Sequence, residues 1–147
     1  MESESKGHSI ELLLSKESTD RLREKLCEVE PGPWHQDPFR PHLSLAVIRE
    51  PTERVEELRT LVRDFARGQA PFKILISSMG IFPGKRPVLT LMPASNGELI
   101  DIHHRVSNQL TEIGISPIPY YRIGQWSPHI TIMMGRPRRE VSAAMEA

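Results

Sequence analysis

Residues 39–45 read FRPHLSL, and residues 126–132 read WSPHITI. Aligned, the two stretches share an aromatic, a proline, a histidine, an apolar residue, a hydroxyl and a second apolar residue. Phe39 matches Trp126, Pro41 matches Pro128, His42 matches His129 and Ser44 matches Thr131. Side chains alternate along a strand. His42 and Ser44 therefore share one face of the first strand, with Leu43 and Leu45 on the other. His129 and Thr131 stand in the same relation to Ile130 and Ile132. Each strand is a half-site, apolar behind and His-x-hydroxyl in front.

The elements around each copy also match. HSIELLLS (8–15) reads as a strand. Ser18, Thr19 and Asp20 are candidate caps of a helix running to about Val29. The proline-rich stretch 30–41 is a loop, and HLSLAVI (42–48) is a strand opened by Pro41, where a missing N–H does little harm. Pro51 starts a second helix, striped by Val55, Leu58, Leu61, Val62 and Phe65 and followed by Gly68. The segments 72–82 and 87–93 read as an antiparallel hairpin around PGKR. Asn96 caps a third helix with the stripe Leu99, Ile102, Val106, Leu110 and Ile113, ended by Gly114. A loop over 116–127 leads to a strand at 128–135. The basic segment 136–147 is expected as a peripheral tail. The order is β-α-β-α-β-β-α-β. Each histidine motif follows a helix and a proline-containing loop and opens a strand.

Composition narrows the function. A chain of 147 residues is one domain by size. Lys plus Arg and Asp plus Glu both total 19. Such balance argues against coating duplex DNA, which calls for a basic surface. It leaves room for a small phosphorylated ligand. Cys27, the only cysteine, forms no intrachain disulfide and is expected in helix packing. A cysteine-based metal site is excluded. The N-terminus is polar and acidic, unlike a secretory leader, and no apolar run approaches a membrane span. A cytosolic protein is expected, with the nucleus also open.

Two imidazoles and two hydroxyls on one concave surface suit displacement at phosphorus. One imidazole takes a proton from the attacking oxygen while the other protonates the leaving oxygen. An unperturbed pKa of ~6.5 lets histidine do both near neutrality. The hydroxyls can hydrogen-bond the non-bridging oxygens, where charge gathers. The scheme uses no metal and no cofactor.

Paired H-apolar-[S/T]-apolar motifs in this setting resemble those of the 2H phosphoesterase superfamily, which includes the 2′-5′ RNA ligase-like proteins and cyclic nucleotide phosphodiesterases. The stretch FKILISSMGIFPGKRPVLTLMP (72–93) also resembles the family's central hairpin. The resemblance covers essentially the whole chain. It implies an α+β fold of two lobes within one domain, 1–147. Pseudo-duplicated antiparallel sheets would form a central cleft, with helices outside. It carries over His42, Ser44, His129 and Thr131 as the catalytic set. It implies 2′,3′-cyclic or 2′-5′ phosphodiesters of nucleotides or RNA ends as substrates. Ser44 stands where many members have Thr; either supplies the hydroxyl.

Arg40, Tyr121 and Trp126 are the candidate substrate contacts, the arginine for phosphate and the aromatics for a base. Phe39, Tyr120, Arg122 and the GKR turn (84–86) are weaker candidates of the same kind. His103 and His104 are expected as surface or partly packed residues of the third helix. His8 and His35 fit no pattern. A monomer without membrane or duplex DNA partners is expected. Two other classes stay open, a nucleotide- or RNA-end-binding module without turnover and a protein-interaction domain.

Overall fold

Alternating residues and well-placed caps give the chain its elements, as the computed structural model shows for residues 7–29, 34, 38–49 and 52–147. Strand β1 (His8–Leu13) leads into helix α1 (Lys16–Cys27). Ser15 caps α1, accepting from the Ser18 amide at 3.1 Å, so the helix starts earlier than the cluster at 18–20 suggests. β2 (His42–Ile48) precedes α2 (Val55–Arg67), and β3 (Ile76–Phe82) precedes β4 (Val88–Pro93). α3 (Gly97–Glu112), β5 (Ile130–Met133) and α4 (Arg138–Glu146) complete the order. His35 and the helix-opening role of Pro51 lie outside the described residues.

The fold is α+β. Its five strands form a sheet in the order β1-β2-β5-β4-β3. β2 pairs with β5, β5 with β4, and β4 with β3, all antiparallel. The two histidine-motif strands are thus hydrogen-bonded neighbours. The hairpin is shorter than 72–82 suggests, because its ladder ends where Ile76 meets Pro93, which has no N–H to carry it on. β5 is shorter too, and Gly135, with φ 74°, turns the chain after it.

The chain divides into two compact units, and β2 passes from one to the other between Leu43 and Ser44. One comprises the described residues of Met1–Glu11, with Ser44–Leu75 and Ser95–Pro128. Its core is built on α3, whose Leu99, Ile102, Val106 and Leu110 are buried, with Leu58 of α2 and Leu45 and Ile48 of β2. Asn96 secures the start of α3, its Oδ1 accepting from the Leu99 amide at 3.2 Å and its Nδ2 donating to the Lys73 carbonyl at 3.0 Å. Gly114, with φ 73°, lets the chain leave the helix.

The other unit comprises Leu12–Leu43, Ile76–Ala94 and His129–Ala147. Leu26, Leu43, Leu89, Leu91, Ile130, Ile132 and Met133 are its buried apolar residues, together with Trp34. Trp34 is held by its own polar atoms. Its Nε1 donates to the Val29 carbonyl at 3.2 Å, and its carbonyl accepts from Arg23 at 3.0 Å. The segment expected as a tail is helical, with Val141 and Ala144 buried. The small and apolar residues among its charges give α4 a face to bury. Cys27, in contrast, is exposed: it falls off the buried side of α1 that Leu26 defines.

Leu110 is wholly enclosed. Leu110→Ala should lower stability by about 2–5 kcal/mol, whereas Asn96→Ala should cost about 1 kcal/mol through the lost cap. Urea unfolding of the two variants checks the order and size of these losses.

Candidate active site

The pairing of β2 with β5 sets the geometry of the site. Leu43 is opposite Ile130, and they are 1% and 0% exposed. Directly opposed residues share a face, and their sequence neighbours take the other. His42 and Thr131 therefore stand opposite each other on the face away from the Leu43–Ile130 pair. His129, two residues before Thr131, joins them as a diagonal neighbour. Diagonal positions are roughly 7–8 Å apart, within reach of long side chains. His42, His129 and Thr131 are all half-buried. Ser44 is two residues beyond His42 on the same strand and is also half-buried.

His42 Nδ1 lies 3.0 Å from the Arg40 carbonyl. A carbonyl only accepts, so Nδ1 carries the proton. The Arg40 side chain is exposed, and its backbone orients the imidazole. The His129 ring meets Phe82 edge to face, with centroids 4.8 Å apart and planes at 76°. Thr131 is opposite Thr90 on β4. Thr90 is fully buried and donates to the Gly80 carbonyl at 3.1 Å. A Cβ at Gly80 would lie 3.1 Å from the Met92 side chain and 3.2 Å from Thr90 Oγ1, so a side chain there would crowd that hydrogen bond.

In the unit that begins β2 at Ser44, a second group converges on that serine. The Trp126 indole donates to the Ser44 carbonyl at 3.0 Å. Burial pushes the Tyr121 phenol above its ordinary pKa, and the Ser44 hydroxyl opposes that shift, so the phenol keeps its proton at neutral pH. Trp126 also stacks on His103, with ring centroids 4.0 Å apart and planes within 5°.

His103 is 2% exposed, not the surface or partly packed residue expected from the sequence. Its Nε2 donates to the Tyr121 carbonyl at 2.9 Å. Burial lowers its pKa, the carbonyl bond opposes this and neighbouring His104 adds to it. His103 is therefore neutral near pH 7. The sequence does carry a signal for this burial. Position 103 follows Leu99 by four residues and precedes Val106 and Leu110 by three and seven, the spacing of a buried helical stripe. His104 is exposed, as expected. Of the weaker candidates, Arg122 donates to the Pro117 carbonyl at 3.3 Å, Phe39 lies 6.0 Å from the Arg23 guanidinium carbon, and Tyr120 is exposed.

Among the described residues, no group of three or more His, Cys, Asp or Glu is placed to hold a metal ion. No helix among them is long and apolar enough to cross a membrane.

The α+β fold makes the two strands that carry or follow the histidine motifs hydrogen-bonded neighbours. The 2′-5′ RNA ligase superfamily matches the chain over residues 14–147, and the protein belongs to that family of 2H phosphoesterases, enzymes acting on phosphodiester bonds. No curated protein matches the chain closely.

Burial of a neutral His103 ties stability to pH. Its folded pKa lies below the unfolded value of about 6.5, so below that pH the unfolded chain binds more protons. Stability should fall as pH drops through and below that value. His103→Gln should remove this part of the slope. Thermal midpoints at about pH 7.5 and about pH 5 test it, and the wild type should lose more between them than the variant.

Proposed function

We propose that the protein is a metal-independent phosphodiesterase acting on 2′,3′-cyclic phosphate or 2′-5′ linkages of nucleotides or RNA ends. The observation that carries this reading is the pairing of Leu43 with Ile130, which sets His42 against Thr131 with His129 beside them. Both proton transfers of an in-line displacement can come from these imidazoles. In hydrolysis, one takes a proton from water as its oxygen bonds to phosphorus. The other, protonated, gives its proton to the departing ribose oxygen. Both then return to their starting states by exchange with solvent. The fixed tautomer of His42, with Nδ1 on a carbonyl, supports a proton-exchanging role. Ser44 and Thr131 are proposed to donate to the non-bridging oxygens. Run in reverse, the same chemistry joins ends. The two-lobed cleft implied by the family resemblance would receive the substrate's terminal nucleotide.

Arg40 and Tyr121 are proposed as flanking contacts to phosphate and base. Trp126 is a weaker candidate than the sequence suggests. One ring face is taken by His103 and its N–H by the Ser44 carbonyl, which leaves only the other face for a base.

The test is hydrolysis of 2′,3′-cyclic nucleotides with excess EDTA. Turnover should persist with chelator. It should drop by about 10²–10⁴-fold in His42→Ala and in His129→Ala. Thr131→Ala should cost about 10²-fold in kcat. Turnover abolished by EDTA would overturn the metal-free mechanism. Substrate binding without turnover in the wild type, lost in both histidine variants, would identify a binding module instead.

A further inference from the structure

We propose that His103 is a positioning residue that holds Ser44 in register for the reaction through Tyr121 and Trp126. The proposal rests on the catalytic role of Ser44 given above. Two paths run from one imidazole to one serine. In the first, the His103 ring lies flat on the Trp126 indole, at 4.0 Å and 5°, and that indole donates to the Ser44 carbonyl at 3.0 Å. In the second, His103 Nε2 donates to the Tyr121 carbonyl at 2.9 Å, and Tyr121 bears the phenol on whose pKa the Ser44 hydroxyl acts. The serine is thus held at its backbone by the first path, while the second holds the residue that its hydroxyl acts on.

The loop bearing Tyr121 and Trp126 needs such an anchor. Its turn, Pro119–Tyr121, is a single 3-10 turn with no cap from a side chain, and Tyr120 on it and Ile123 after it are exposed. His103 comes from the interior of α3, the most deeply buried helix, so it brings a rigid reference point to the loop. Only a flat ring with an N–H at its edge can stack on the indole and donate to the carbonyl together. Neutral imidazole meets both demands. With its carbonyl held by the Trp126 indole, Ser44 is preorganised at its backbone where charge develops.

The experiment measures kcat and KM on a 2′,3′-cyclic nucleotide for the wild type, His103→Leu, Ser44→Ala and the double variant. His103→Leu should lower kcat by about 10-fold or more with less change in KM. In the Ser44→Ala background the same substitution should cost under about 2-fold, because groups acting as a unit are non-additive. Full additivity would overturn the proposal. His103→Phe keeps the stack and His103→Gln keeps the donor. Each should retain more activity than leucine, and they carry the test if the leucine variant does not fold. A second reading is independent of turnover. Exchange of the Trp126 indole proton, followed by NMR, should be faster in His103→Leu, or in His103→Gln, than in the wild type. Unchanged exchange would overturn the proposal whatever the activity. A wild type without turnover but with faster exchange in the variant would instead sink the enzymatic reading alone.

Discussion

Leu43 and Ile130 face each other across an antiparallel ladder, and both are closed off from solvent. Burying side chains of this kind contributes roughly 1.5–3 kcal/mol each. A slip of one residue would turn every side chain of a strand to the opposite face. It would send His42 or His129 and its hydroxyl partner into the apolar side and put leucines or isoleucines in their place. The register is therefore chosen by apolar residues, and the motif histidines and hydroxyls inherit their positions from it. Ile130 is paired on its other side with Leu91, so β5 is pinned from both flanks.

Polar atoms around the strands are spent on fixing one another. The Arg40 carbonyl holds His42, Thr90 holds Gly80, and the Ser44 carbonyl receives the Trp126 indole. Buried polar groups left without partners are costly. Each of these bonds satisfies a group near the reactive face, and several also set the direction of a side chain. Tyr121 and His103 show opposite effects of the same burial, which favours the neutral form of each: the phenol's pKa rises and the imidazole's falls. Both therefore stay uncharged near neutrality.

Local periodicity is legible in the amino-acid order. The stripe on α3, the hairpin of β3 and β4, and the alternation in HLSLAVI follow from side-chain direction alone. The likeness of the two histidine motifs is equally plain from their residues. Long-range facts are harder to read. Nothing within FRPHLSL states that Leu43 will meet Ile130, because register depends on a partner far along the chain. His103 is easily misread for a related reason, although its spacing puts it on the α3 stripe. A helical histidine is polar enough to pass for a surface residue, and its burial depends on a loop that follows it. In the segment 136–147 the charges dominate the composition and mask Val141 and Ala144, which give the helix something to bury. Cys27 shows the reverse case, an apolar type that stays exposed because its neighbour Leu26 defines the buried side.

The hold on His42 comes from the main chain at position 40, not from the arginine that occupies it. Every amino acid carries that carbonyl. The identity of residue 40 is thus uncoupled from the tautomer of the imidazole two residues later. A side-chain scan across the position would report only on the guanidinium and would be blind to the peptide's part. Size and charge at that position are free to change while the proton stays fixed on the same nitrogen.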